Sequence, residues 1–257
     1  MTDAAPEQDV SMTFWEHLEE LRSRLLKMVL AFLIGAGGSW FVREWILFWL
    51  VIPLQSAGKV DINYPGPASM FIAYLKISML AGFVFALPII LYQFWSFIAP
   101  GLYKKEKRYA IPFVASSLAL FVGGSYFGWK VAFPQAFRFL LSFGGKIGPP
   151  DGKIEIKEVI MVGDYIEFVG RMLLAFGAAF ELPVVIFFLS IAGVVTHSHL
   201  IKFSRYFVVC AFLLSALITP PDVMSQFLLA IPLCILYAVS IGVAYLFSRK
   251  RDPAPTD

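Results

Sequence analysis

Long apolar runs alternate with shorter polar stretches along the whole chain. A helix of about 20 apolar residues is long enough to cross the hydrocarbon core of a bilayer. Six runs are candidates for such spans, at about residues 26–42, 69–97, 109–131, 164–191, 206–218 and 223–247. The pattern therefore predicts an all-α integral membrane protein, in which residues 13–248 form a single domain of six transmembrane helices.

The last two spans differ from the others. The apolar part of the fifth, Tyr206–Ile218, would be about 20 Å long as an α-helix, against a hydrocarbon core of about 30 Å. We therefore predict that spans 5 and 6 are short and that the bilayer is thinner beside them. Kinks at three span prolines would give the bundle a concave wall around Glu181. These prolines are Pro88, Pro183 and Pro232.

Two further elements flank the first span. A stripe at helical spacing predicts an amphipathic helix that continues directly into span 1. Its members are Phe14, Leu18, Leu21 and Leu25. After the span, residues 45–53 are too few to cross a bilayer and include Trp45 and Trp49, so we interpret them as an interfacial segment. Residues 132–162 are predicted to form a long polar segment between spans 3 and 4.

Composition supports the membrane assignment. Hydrophobic residues make up 59% of the 257 residues and charged residues 15%, and the mean hydropathy is +0.75. Soluble globular domains are nearer half apolar and roughly a quarter charged. The net charge of +3 is too small to suggest a nucleic-acid partner. Cys210 and Cys234 both fall inside apolar runs, so no disulfide framework is predicted.

The distribution of Lys and Arg predicts the orientation in the membrane. With the N-terminus inside, 12 cations lie on the cytoplasmic side and 7 on the outer side. Cytoplasmic loops carry the excess of Lys and Arg. Both termini are therefore predicted to be cytoplasmic, with a flexible tail at residues 1–12 and a second tail at 249–257. The loop at residues 97–108 would face the cytoplasm as well.

That loop holds a single carboxylate among several cations. Pro100 and Gly101 end the preceding helix, because proline lacks a backbone donor and glycine takes conformations that other residues avoid. Glu106 follows, and its cationic neighbours are Lys104, Lys105, Lys107 and Arg108. Two interpretations stay open. Glu106 is either a solvated residue that serves its neighbours or a carboxylate offered to an arriving cation.

The amphipathic helix presents the same choice. Glu20 with Arg24 at i,i+4, and Glu19 with Arg22 at i,i+3, have the spacing of local ion pairs. Alternatively, cytoplasmic carboxylates at Glu20 and Glu106 would together suit a dicationic partner. Arginine in particular binds a carboxylate through a bidentate fork.

Ionisable residues also occur inside the spans. Glu181, two residues before Pro183, lies deep in span 4, where an ionisable side chain costs about 2.5–3.5 kcal/mol or more. It is either satisfied inside the bundle or part of a functional site. A proton-coupled secondary transporter that uses Glu181 is therefore the alternative function. Lys76, near the beginning of span 2, is predicted to snorkel towards the outer surface.

The turn between spans 5 and 6 is unusually polar. Asp222 is a suitable N-cap for span 6. With Thr219 and Gln226 it could instead form a polar face that binds another transmembrane helix. The three histidines lack a convincing metal-ligand pattern and no catalytic constellation is evident, so we predict neither a metal site nor an enzyme.

Four strings of the sequence are distinctive: His17–Leu25 (HLEELRSRL), Phe97–Glu106 (FIAPGLYKKE), Phe180–Val184 (FELPV) and Thr219–Gln226 (TPPDVMSQ). In this order they resemble the TatC subunit family of the twin-arginine protein translocase. The resemblance implies a non-enzymatic receptor, without cofactors, for the twin-arginine signal peptides of folded proteins. It would lie in the cytoplasmic (inner) membrane and export its passengers with single-span TatA-type and TatB-type subunits, driven by the proton-motive force. Self-association into a homo-oligomer is compatible with this picture.

The resemblance also assigns roles by position. Glu20 and Glu106 match the two carboxylates that hold the arginine pair of the signal. The neighbouring recognition residues are Arg22, Phe97, Leu102, Tyr103 and Lys104. Glu181 matches a buried glutamate of span 4, and Thr219 and Gln226, beside Asp222, match the patch where a partner helix docks. The prolines with structural roles are Pro53, Pro100 and Pro183.

Overall fold

The computed structural model describes residues 14–58, 61–98, 107–147, 154–156, 159–219 and 222–248. Helices dominate these residues. They are α1 (Phe14–Trp40), α2 (Arg43–Ala57), α3 (Pro67–Ile98), α4 (Lys107–Phe127), α5 (Phe133–Leu141), α6 (Val162–Phe180), α7 (Leu182–Ile191), α8 (His197–Ile218) and α9 (Val223–Ser248). Four short strands accompany them: β1 (Ile62–Asn63), β2 (Gly145–Ile147), β3 (Ile154–Ile156) and β4 (Ile160–Met161).

The predicted spans correspond to helices. Four helical stretches are each long and apolar enough to cross a membrane, and α1 with α2 passes the same test as a bent pair. The four stretches are Pro67–Phe97, Val162–Ile191, His197–Ile218 and Val223–Leu246. The predicted third span coincides with α4 and the π-helical turn Gly128–Ala132 that follows it. The all-α prediction is therefore confirmed.

The first helix joins the amphipathic segment to span 1 without a break, as the apolar stripe predicted. The chain then turns by 86° into α2. This helix contains the predicted interfacial segment and buries one face, formed by Leu50, Pro53 and Leu54. Pro53 thus has a packing role inside α2.

The largest apolar core lies where α2, α3, α5 and α6 meet. Its fully buried members include Leu54, Ile77, Phe133, Val169 and Phe176. The prediction of a continuous polar segment from residue 132 was wrong in its first part, because α5 belongs to this core. Only Gln135 and Arg138 are polar among its nine residues, and its buried residues recur at helical spacing: Phe133, Ala136 and Phe137.

Two helix pairs approach closely at glycines. A Cβ at Gly82 on α3 would lie 2.3 Å from the backbone nitrogen of Ala36 on α1. A Cβ at Gly124 on α4 would lie 2.5 Å from the carbonyl oxygen of Phe176 on α6. Both distances are too short for a side chain, so only glycine permits these contacts. Gly37 does not take part in such a contact, since a Cβ there would meet nothing within 4 Å.

Span 4 is broken, whereas the other spans that contain a proline continue. Helix α6 ends at Phe180 and α7 begins at Leu182, so the break falls at Glu181 and Pro183 takes a position in the first turn of α7. Proline is tolerated there because the first helical donors have no partner inside the helix. Pro88 and Pro232 lie within the uninterrupted helices α3 and α9.

The last two spans are shorter than spans 2 and 4, at 22 and 24 residues against 31 and 30. Span 5 nevertheless begins at His197, nine residues before the predicted apolar part. At about 33 Å, a helix of 22 residues can cross the hydrocarbon core, so its length no longer calls for a thinner bilayer. Its first turns contain the polar residues Lys202 and Arg205, whose long cationic side chains can reach the membrane surface.

Strand pairing aligns two of the spans. Strand β1, before α3, pairs in parallel with β4, before α6, with Ile62 opposite Ile160. Helices α3 and α6 therefore start at the same end of the bundle and run in the same direction. Strands β2 and β3 form a small antiparallel pair.

Candidate functional site

A carboxylate near the start of α1 forms the centre of the first candidate site. Nε and Nη2 of Arg24 donate hydrogen bonds to Oε1 of Glu20 at 2.8 and 2.6 Å. Nη1 of Arg24 donates to the side-chain oxygen of Gln93 on α3 at 3.2 Å. The predicted i,i+4 pair is confirmed, and Gln93 fixes it to a second helix. We call Glu20, Arg24 and Gln93 the acidic site.

Only one oxygen of this carboxylate is used. Oε2 of Glu20 is buried and has no hydrogen-bond partner among the described residues. The side chains of Glu20 and Arg24 are each 20% exposed. An unsatisfied buried acceptor is unfavourable, by about 1–3 kcal/mol and more for a charged group. The acidic site is therefore able to accept a further cationic donor.

Phe97 lies at the same end of the bundle. Its ring stacks on His17, with the ring centroids 4.6 Å apart and an angle of 21° between the planes. His17 precedes Glu20 by three residues, so both occupy neighbouring positions on α1. Phe97 is thus held beside the acidic site at the end of α3. Arg22, which was predicted to assist there, is exposed on α1.

The remaining predicted recognition residues lie outside the described residues, and so does Pro100, which was predicted to have a structural role. These recognition residues are Leu102, Tyr103, Lys104 and Glu106. Their assignment to the signal-binding site stays a prediction. Helix α3 ends at Ile98 before this segment, and α4 begins at Lys107 after it.

Glu181 occupies the break in span 4. Its Oε1 is buried without a hydrogen-bond partner among the described residues. Its side chain lies within hydrogen-bonding reach of the Ser117 hydroxyl on α4. Ser117 is itself fully buried and accepts a hydrogen bond of 3.0 Å from Nε1 of Trp95. Glu181 is therefore only partly satisfied inside the bundle.

A second cluster of polar side chains joins the end of α8 to the start of α9. Oδ1 of Asp222 accepts a hydrogen bond of 2.7 Å from the backbone N–H of Ser225, which confirms its capping role. Oγ1 of Thr219 donates to the carbonyl of Ser215 at 2.9 Å. Nε2 of Gln226 donates to the carbonyl of Phe212 at 3.0 Å. Thr219 and Gln226 therefore bind backbone carbonyls of α8.

This α8–α9 polar cluster retains unused hydrogen-bonding capacity. Three buried side-chain oxygens in it have no partner among the described residues. They are Oγ of Ser215, Oδ2 of Asp222 and Oγ of Ser225. Ser215 and Ser225 are completely buried. Asp222 and Gln226 are only partly buried, so they are the members of the cluster that a polar group on an adjoining helix could reach.

Sequence reasoning missed two residues that complete these sites. Gln93 is an isolated amide within the apolar span 2, and its polarity there was a usable signal. Ser117 carried no such signal, because serine is common in transmembrane helices and satisfies itself on the preceding turn. The described residues include no group of three or more potential metal ligands.

Comparison with known proteins identifies the family. The sequence model of the Sec-independent protein translocase protein (TatC) matches residues 16–232. The chain belongs to the TatC family. It is 41% identical over 241 residues to TatC of Aquifex aeolicus, covering 93% of this chain and 98% of that protein. TatC of Campylobacter jejuni is 40% identical over 246 residues, covering 94% and 95% of the two chains.

Solved TatC structures share the fold. A crystal structure of the twin-arginine translocase receptor TatC superimposes with a TM-score of 0.78 at 41% identity, covering 90% of this chain and 99% of that chain. A second TatC structure, in the detergent DDM, gives a TM-score of 0.79. The TatC resemblance and the six-helix transmembrane fold are thereby confirmed. The chain is a multi-pass membrane component of a Sec-independent protein translocase. Its family therefore supports a function in protein transport rather than the alternative of a small-solute transporter.

Proposed function

We propose that this TatC protein is the receptor for twin-arginine signal peptides and that Glu20 binds one of the two arginines. The observation that carries the proposal is the buried Oε2 of Glu20, which has no partner among the described residues. Arg24 holds the opposite oxygen, Oε1, and is itself held by Gln93. The carboxylate is thus fixed in place with one oxygen available.

Arginine suits this oxygen better than lysine. A guanidinium presents several N–H groups in a rigid plane and is more weakly hydrated than an ammonium group, so less solvation is lost in a half-buried site. Arg24 shows that the acidic site already accommodates one guanidinium. A signal arginine would approach from the side of Oε2.

Glu106 is proposed to bind the second arginine. In sequence it directly precedes α4, in the segment that connects α3 to α4. That segment begins just after Phe97, which stacks on His17 beside the acidic site. Leu102, Tyr103 and Lys104 would complete the recognition surface for residues that flank the arginine pair.

The α8–α9 polar cluster is proposed to bind single-span partner subunits of the TatA and TatB type. Asp222 and Gln226 are only partly buried and can offer hydrogen bonds to a polar residue of the incoming helix. Glu181, at the break of span 4, would serve the same intramembrane surface. The concave wall predicted around it would then face the partner helix or the apolar part of the signal.

In this proposal the protein lies in the inner membrane with both termini in the cytoplasm. The acidic site then faces the cytoplasm, where folded precursors arrive, and the turn between α8 and α9 faces outwards. Export of the folded passenger draws on the proton-motive force. The receptor itself performs binding and assembly and no covalent chemistry.

An export assay in cells tests the receptor assignment. A folded reporter with a twin-arginine signal is expected to remain in the cytoplasm when Glu20→Arg and Glu106→Arg are combined, since both cations would repel the signal. The matched control is Glu19→Arg, because Glu19 is the exposed neighbour of Glu20. Normal export by the double variant would contradict the proposed sites.

A further inference from the structure

A cleft of about 350 Å³ lies between α1, α3 and α6, away from the acidic site and the α8–α9 polar cluster. Its walls are mainly apolar and include Phe32, Met79, Leu80, Phe83 and Leu174. Met79 is 45% exposed, so the cleft is reachable from the surrounding membrane. Lys76 and Glu167 line the same cleft.

Charged side chains meet beside this cleft. Nζ of Lys76 lies 2.7 Å from Oε2 of Glu167, and Nη2 of Arg171 donates to Oε1 of the same carboxylate. Lys76, which was predicted to snorkel, also pairs across to α6. Two cations share one carboxylate, so the group carries one net positive charge. Lys76 and Arg171 are still 42% and 61% exposed.

The charged group lies near one membrane surface. Lys76 and Arg171 each follow the start of their helical stretches by nine residues, or about 14 Å. Those stretches have 31 and 30 residues and are therefore about 45 Å long as helices. Each is longer than the hydrocarbon core of about 30 Å by roughly 15 Å. Centred in the bilayer, they place the two cations about 6 Å inside the core, where long side chains reach the headgroups.

From these contacts we propose that the cleft binds an anionic phospholipid. Its phosphate contacts the exposed nitrogens of Arg171 and Lys76, and one acyl chain lies along Met79, Leu80 and Phe83. The net positive charge at the mouth complements the anionic headgroup, and guanidinium groups bind phosphate through paired hydrogen bonds. An apolar helix in the same place would bury the charged group without compensation. The site faces the leaflet opposite the acidic site.

Native mass spectrometry of the full-length protein in detergent tests this site. Phosphatidylglycerol and phosphatidylcholine with identical acyl chains are added in equal amounts. Wild-type protein is expected to prefer phosphatidylglycerol by about fivefold, the factor that one cation near an anionic lipid typically contributes. Arg171→Gln should lose the preference, whereas Arg171→Lys should keep most of it.

Two further variants make the outcome specific. Lys130→Gln also removes one exposed cation, from the π-helical turn after α4, and should retain the preference. Met79→Trp fills the cleft from its exposed side and should weaken binding of both lipids while leaving the charges intact. Equal binding of the two lipids by wild-type protein, an unchanged preference in Arg171→Gln, or unchanged binding in Met79→Trp would each overturn the proposal.

Discussion

Glu20 and Glu167 show how two carboxylates with the same local sequence pattern acquire different roles. Each is followed four residues later by an arginine that binds its Oε1. At Glu167 a lysine from α3 also occupies Oε2, whereas Oε2 of Glu20 has no partner among the described residues. The spacing predicted the contact between Glu20 and Arg24. The contacts that reach a second helix, from Lys76 to Glu167 and from Arg24 to Gln93, join residues 91 and 69 positions apart in the chain, beyond the reach of local patterns.

Ser117 is expected to contribute more to stability than its neighbour Ser116. Ser117→Ala leaves the indole N–H of the buried Trp95 without its acceptor, at a cost of about 1–3 kcal/mol. Ser116 is exposed and bonds only the carbonyl of Phe113, so Ser116→Ala should change the free energy of unfolding by less than about 0.5 kcal/mol. Denaturant unfolding in detergent measures both. Equal effects would contradict the role given to Ser117.

At the scale of elements, sequence reasoning succeeded for long apolar runs and failed for a short helix at the edge of a polar segment. All six runs correspond to helices. Helix α5 was missed because its nine residues are too few to span a bilayer and lead directly into a polar segment. Among the prolines of the predicted spans, Pro183 follows a helix break, whereas Pro88, Pro112 and Pro232 lie within continuous helices, since helix ends depend on packing with neighbouring helices.

The contact between α1 and α3 is expected to depend on Gly82. A methyl group there would lie 2.3 and 2.4 Å from backbone atoms of Ala36, which cannot move aside without separating the helices. Gly82→Ala should destabilise the protein by about 1–3 kcal/mol. Gly37→Ala is the matched control, because its methyl group meets nothing within 4 Å and alanine favours helix by up to about 1 kcal/mol. Similar unfolding midpoints for both variants would contradict this account.

At the scale of the whole molecule, the proposed binding surfaces lie on different parts of the bundle. Helix α1, with the acidic site, packs mainly on α3, and α8, with the polar cluster, packs mainly on α9. Helices α4, α6 and α7 connect these two pairs. A signal and a partner helix therefore have separate places to bind. The distribution of Lys and Arg along the sequence predicted which end of the bundle faces the cytoplasm.

Cysteine labelling in intact cells tests that orientation. In a background without Cys210 and Cys234, a membrane-impermeant maleimide should label Val159→Cys, which is exposed before α6 on the proposed outer side. Ser198→Cys, exposed in the first turn of α8, should react only after the cells are opened. The reverse pattern would contradict the placement of both termini in the cytoplasm.

The most direct test of the central claim is the affinity of the purified, full-length protein for two synthetic signal peptides that differ only in Arg-Arg or Lys-Lys. Wild-type protein should bind the Arg-Arg peptide more tightly. Glu20→Gln should weaken that binding by about tenfold or more, since a hydrogen bond to a charged group contributes about 1.5–3 kcal/mol. Glu19→Gln, at the exposed neighbouring position, should bind like wild type. Equal affinity for the two peptides, or an undiminished affinity of Glu20→Gln for Arg-Arg, would contradict the assignment of Glu20 as an arginine receptor.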